Sequence, residues 1–169
     1  MCAANQSADP SDTLLGAAVR SFQNALDAWR DTDATRKPFA EVVTQIAPLT
    51  TSGKHRLKAL LLRAEACWFG GMYDTALADL DELVLCYPHG VPGFMTAHTP
   101  LELRGMTYVK LGRFAEGEQD LLQALEEFRS SLERFPGGRI ERTNQYFWVL
   151  VARHRGNESA AIDEQGKYY

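Results

Sequence analysis

The side chains that could do chemistry in this chain are four histidines, three cysteines and a scatter of carboxylates. His55, His89, His98 and His154 stand far apart, and no H-E-x-x-H run or other helix-spaced pair would set two imidazoles on one side of a metal ion. Cys86-Tyr87-Pro88-His89 together with His98 could supply part of a metal site, but the run lacks a clear fourth ligand, and surface histidines are the plainer reading. Cys2, Cys67 and Cys86 are odd in number and form no C-x-x-C pair, which speaks against a disulfide framework and for a reducing compartment. The glycines build no phosphate-cradling G-x-x-x-x-G-K-[ST], no dinucleotide G-x-G-x-x-G and no nucleophile elbow G-x-S-x-G. The expectation is a chain with no enzymatic centre, no metal and no cofactor.

The remaining charges read as solvated helix faces. Asp79, Asp81 and Glu82 form an acidic cluster, and Glu126 and Glu127 sit near Arg129 and Arg134 at helical spacing. Arg139, Arg142, Arg153 and Arg155 make one late segment basic, a pattern that keeps a helix soluble. Across the 169 residues, 18 Lys and Arg face 22 Asp and Glu for a net charge of −4, so no nucleic-acid partner is expected. The N-terminus MCAANQSADPSD has no basic, apolar leader, and no window approaches 18 uninterrupted apolar residues. A soluble, cytoplasmic protein without a membrane partner is expected.

The elements that must position these residues are all helical. Leu14, Leu15, Ala18, Val19, Phe22, Leu26 and Trp29 recur at spacings of three and four, behind an N-cap and first-turn proline offered by Asp9-Pro10-Ser11-Asp12. The polar run 31–37 is expected to end that helix, and a shorter one is expected from Pro38 to about Ala47 through Phe39, Val42, Val43 and Ile46. From residue 54 to 69 the chain is apolar around most of a helix circumference, which requires cover on two sides. Gly70-Gly71 breaks it, and a second helix opens at Tyr73 and stops at Tyr87-Pro88-His89-Gly90. Thr99-Pro100-Leu101-Glu102 has capping-box spacing with proline at the first helical position. That helix should end near Leu111-Gly112, a long one should run from Phe114 to Phe135, and another from about Arg139 to His154. No segment shows the two-residue alternation of a strand.

Aligning the hairpins on their glycines gives GMYDTAL, GRFAEGE and GNESAAI, with Gly71, Gly112 and Gly156 at intervals of 41 and 44 residues. Five positions on stand Ala76, Gly117 and Ala161, and seven positions before stand Ala64, Gly105 and Val149. Small residues there allow two helices of a hairpin to approach closely. Ala64, Gly71, Tyr73, Ala76, Leu80, Leu83 and Pro88, then Gly105, Tyr108, Gly112, Phe114, Gly117, Leu121 and Ala124, resemble two tetratricopeptide repeats of the longer-helix variety. A third is degenerate, with Glu158 in place of the turn aromatic.

The resemblance implies an all-α, tetratricopeptide-like α-solenoid of antiparallel helical hairpins with an N-terminal helical pair. Residues 1–52 would pack on or cap the solenoid, and 53–169 would hold repeats at about 54–90, 98–136 and 139–165. In that family the first helix of each repeat lines a concave groove, which implies a lining of Lys58, Leu61, Glu65, Trp68 and Phe69, then Glu102, Met106, Val109 and Lys110, then Tyr146, Leu150 and Arg153. Leu61, Glu65, Glu102 and Tyr146 stand where a carboxylate clamp would need cations, so an apolar or amphipathic protein segment is the expected partner. Cover by the chain's own N-terminal helices is the alternative for Trp68, Phe69 and Tyr146. The implied function is a non-enzymatic interaction module, an adaptor or assembly factor; the alternatives are a small secretion-type chaperone and, less well supported, a helical enzyme or metal protein. A last repeat without its second helix would leave Tyr146, Phe147 and Val149 as an edge for a homo-oligomer or larger complex.

Overall fold

Spacings of three and four between apolar residues decide the secondary structure, as the computed structural model shows. It describes residues 9–30, 32–94, 96, 98–134, 149, 151 and 153, with backbone alone for 128–134. Among the described residues the elements are α1 (Pro10–Ala28), α2 (Asp33–Ile46), a 3-10 turn (Ala47–Leu49), α3 (Arg56–Phe69), α4 (Tyr73–Cys86), α5 (Pro100–Lys110) and α6 (Phe114–Arg134), and no strand. The chain divides into two compact units, Met1–Asp79 and Leu80–Tyr169, with the division inside α4. No helix is long and apolar enough to cross a membrane among the described residues.

In the first unit α1 starts where its sequence asks it to. The Asp9 carboxylate accepts from the Ser11 N–H at 2.8 Å, and Pro10 fills a position whose N–H would have no partner. Only Leu15, Ala18, Phe22 and Ala25 of this helix are buried, a narrow stripe at spacings of three, four and three. Burying the leucine and the phenylalanine gains about 1.5–3 kcal/mol each. Ordering a helix of this length opposes that gain, so α1 depends on what it docks against. α2 begins at Asp33, five residues ahead of the expected Pro38. The Thr32 N–H donates to Thr35 Oγ1 at 3.2 Å, so the polar run expected to end the first helix also holds the start of the second, and Pro38 is held inside that helix. Phe39, Val42 and Ile46 form its buried side. α3 is buried over ten of its fourteen positions, as its all-round apolar pattern requires; α2 packs against it.

In the second unit the Thr99 hydroxyl accepts from the Glu102 N–H at 3.2 Å and the Glu102 carboxylate accepts from the Thr99 N–H at 3.4 Å, the expected reciprocal cap of α5. α5 lies along α6. A Cβ on Gly105 would come within 2.8 Å of Leu121, and one on Gly117 within 2.8 Å of Val109 and 2.9 Å of the Gly105 carbonyl oxygen. The absence of side chains at these two positions sets how closely the two helices approach.

The two hairpin turns are copies. Gly71 and Gly112 have φ of 77° and 74°, a left-handed conformation that glycine takes without strain. The N–H groups of Met72 and Arg113 reach back to the carbonyls of Cys67 and Tyr108 at 2.8 and 2.9 Å, and those of Gly71 and Gly112 to Trp68 and Val109 at 3.1 Å. This bond pair closes each first helix and turns the chain into the second. The helix expected from 139 to 154 and the third repeat at 139–165 lie outside the described residues, apart from Val149, Val151 and Arg153, which are helical.

Candidate functional site

The hairpins that turn on Gly71 and Gly112 are each fastened by one arginine. Arg63 on α3 places Nε and Nη2 on the two carboxylate oxygens of Asp79 at 2.7 and 2.6 Å, while Nη1 donates to the Thr50 hydroxyl at 3.0 Å. Arg104 on α5 places Nε and Nη2 on Asp120 at 2.7 and 3.0 Å, and its Nη1 donates to Asp81 at 3.2 Å. Both arginines and both aspartates stand 41 residues apart, and each pair spans 16 residues. The paired carboxylates hold both guanidiniums above their usual pKa, against the opposing effect of burial. Asp79 is only 5% exposed, which corrects its reading as part of a solvated acidic face. Asp81 and Glu82 do lie at the surface. The recurrence of an arginine just before Ala64 and Gly105, and of an aspartate three residues after Ala76 and Gly117, was the signal in the sequence that could have revealed the pair.

The α3 half of the predicted lining surrounds an aromatic cluster. Phe69 stacks on Phe39 at 5.4 Å between ring centroids, and receives the edges of Phe22, Trp29 and Trp68 at 6.0, 5.1 and 5.0 Å. Trp68 also meets Tyr73 edge-on at 6.5 Å. Phe69 is thus covered by α1, by the residue that caps it, and by α2. Leu61 and Glu65 are buried, and Lys58 is half-buried.

On α5, Glu102, Met106 and Val109 are buried and Lys110 is half-buried. Glu102 spends its carboxylate on the helix cap. Tyr108 lies near two cations, with the Arg113 guanidinium 4.3 Å and that of Arg104 5.7 Å from its ring centroid. Arg153 donates to Glu118 at 2.9 Å, while Val149 and Val151 are buried. Tyr146 and Leu150 lie outside the described residues.

The polar groups left over are mostly joined to one another. Lys54 contacts the carboxylates of Asp9 and Asp12 at 2.9 Å, and His55 Nε2 meets Asp12 at 2.5 Å. The Ser11 hydroxyl and then Lys54 lower the pKa of Asp9, Lys54 and His55 lower that of Asp12, and the two carboxylates raise that of Lys54. His89 Nδ1 lies 2.7 Å from Glu127. Burial pushes the Cys67 thiol up to about 12, which leaves it without thiolate character, whereas Cys86 is exposed. Among the described residues no three of His, Cys, Asp and Glu are grouped so as to hold a metal ion. Comparison with protein-family models, with curated proteins and with solved structures finds no match to this chain.

Proposed function

We propose that the chain is a non-enzymatic protein interaction module of tetratricopeptide-like hairpins that presents preformed helical surfaces to an apolar or amphipathic segment of a partner. The observation that carries this reading is the duplicated hairpin: one left-handed glycine turn, one pair of closing backbone bonds and one arginine brace, each repeated at an interval of 41 residues. Such internal fastening keeps helix geometry fixed before a partner arrives, so little ordering cost falls on the module. Recognition rests on the first helices of the two hairpins, where Lys58 on α3 and Lys110 on α5 are half-buried beside buried apolar residues. The test is quantitative affinity capture with the full chain as bait, compared with the Lys58→Glu/Lys110→Glu variant. Proteins depleted from the variant at unchanged helical content support the reading. An identical captured set from both overturns it.

A further inference from the structure

The arginine that recurs at an interval of 41 residues is replaced where the glycine pattern recurs a third time. Arg63 and Arg104 stand eight residues before Gly71 and Gly112, and eight residues before Gly156 stands Trp148. Arg104 reaches back to Asp81, ten residues after Gly71, and ten residues after Gly112 stands Leu122. Donor and acceptor thus change to apolar side chains together. A ring set against a carboxylate at this place would strand the charge away from water, and the leucine removes that cost. Leu122 is one of two large apolar side chains left exposed among the described residues, at 38%. A contact one turn away sets the register. Arg153 donates to Glu118 at 2.9 Å, and Val149, Val151 and Arg153 are helical. Helices joined by a short connection run antiparallel, so one turn forward on α6 matches one turn back on its neighbour. That step leads from Glu118 to Leu122 on α6, and from Arg153 to Val149 on the other helix. Val149 holds the place of Gly105, which faces Leu121 inside its own hairpin. The residue before Gly105 is Arg104, which reaches the preceding hairpin, and the residue before Val149 is Trp148.

We propose that Leu122 is an internal docking point for Trp148, and that this apolar contact takes over, one hairpin later, the backward reach that Arg104 makes to Asp81. Trp148 lies outside the described residues, and its place follows from the register of Val149 and Arg153 on α6. The third first helix is then linked to α6 as α5 is linked to α4, through a contact that salt does not screen. This inference goes beyond the interaction reading above and does not depend on it.

The test uses the full chain labelled with fluorotryptophan, which gives one fluorine resonance for each of Trp29, Trp68 and Trp148; Trp148→Phe identifies the last. Leu122→Ala should shift the Trp148 resonance and leave the other two, whereas Leu85→Ala, at the other exposed leucine, should shift none. Hydrogen exchange at Val149, Val151 and Arg153 gives a second readout. Leu122→Asp and Trp148→Arg should each speed it by at least about threefold. The two substitutions together should bring the rate back toward that of the parent chain, because they restore the ionic form found between Arg104 and Asp81. A Trp148 resonance unmoved by Leu122→Ala, or single effects that simply multiply in the double variant, overturns the docking. Neither result touches the interaction reading, which stands or falls on capture through Lys58 and Lys110.

Discussion

At the scale of single residues, the arginine braces and the small residues at the helix crossing join the two helices of a hairpin. Arg104 is 19% exposed and Asp120 8%. Arg104→Met would leave a buried carboxylate without its partner and should cost about 2–4 kcal/mol in urea unfolding. Arg104→Met combined with Asp120→Leu should recover part of that loss, because the cost lies in the stranded charge. Glycines separate into two kinds. Gly105→Ala puts a methyl group 2.8 Å from Leu121 Cγ and should destabilise by about 1–3 kcal/mol. Gly16→Ala in α1 meets nothing closer than the flexible end of Arg20 at 3.6 Å, so it should stabilise by about 0.5–1 kcal/mol. The chemistry of the crossing was legible in the sequence, since Ala64, Gly105, Ala76 and Gly117 are small at matching places. The braces escaped notice because their charges lie 16 residues apart, beyond any local pattern, and Asp79 sits among surface acids.

At the scale of elements, local signals placed most helix ends and failed at one. The Asp9 cap of α1, the Thr99 and Glu102 cap of α5 and the glycine turns are short-range devices, and each was readable where it stood. The start of α2 was missed because Thr32 and Thr35 cap each other through a threonine hydroxyl rather than a carboxylate, and Pro38 drew the boundary to itself. The all-round apolar pattern of α3 announced that it must be covered, but not by which neighbours; the rings of Phe22, Trp29 and Phe39 answer that for Phe69. The clamp of α1 has a pH signature. Asp9 and Asp12 have lowered pKa values, so their contribution is present above the ordinary carboxylate value near about 4 and is lost as the pH falls through the lowered values. Lys54 is raised, so its contribution is present below the ordinary lysine value and is lost as the pH rises through the raised one. Hydrogen-exchange protection of α1, corrected for intrinsic rate, should therefore fall in acid, as the pH drops through the lowered carboxylate values, while that of α3 persists.

At the scale of the whole molecule, a net charge of −4 and the proposed apolar partner segment lead to one expectation with an unusual sign. Raising salt from about 0.05 to about 0.5 M screens exposed ion pairs but strengthens apolar contact, so partner capture should hold or increase. Capture that collapses over this range would mean that charge drives recognition. The all-helical class, the hairpins and the 41-residue interval were visible in residue types alone, because periodicity and turn glycines are local and repeated. What the lining residues touch was partly visible: the capping box of Glu102 could be read locally, whereas only the fold decides that the rings of Phe22, Trp29 and Phe39 lie against Phe69.

The duplicated brace also bears on how such a chain can grow. In each copy the arginine binds its own aspartate through Nε and Nη2 and leaves Nη1 for whatever precedes it, a threonine hydroxyl in one case and a carboxylate in the other. A 41-residue segment of this kind brings its own clasp and asks of its upstream neighbour only one hydrogen-bond acceptor. Tandem duplication of the segment would therefore insert a hairpin that carries its own clasp.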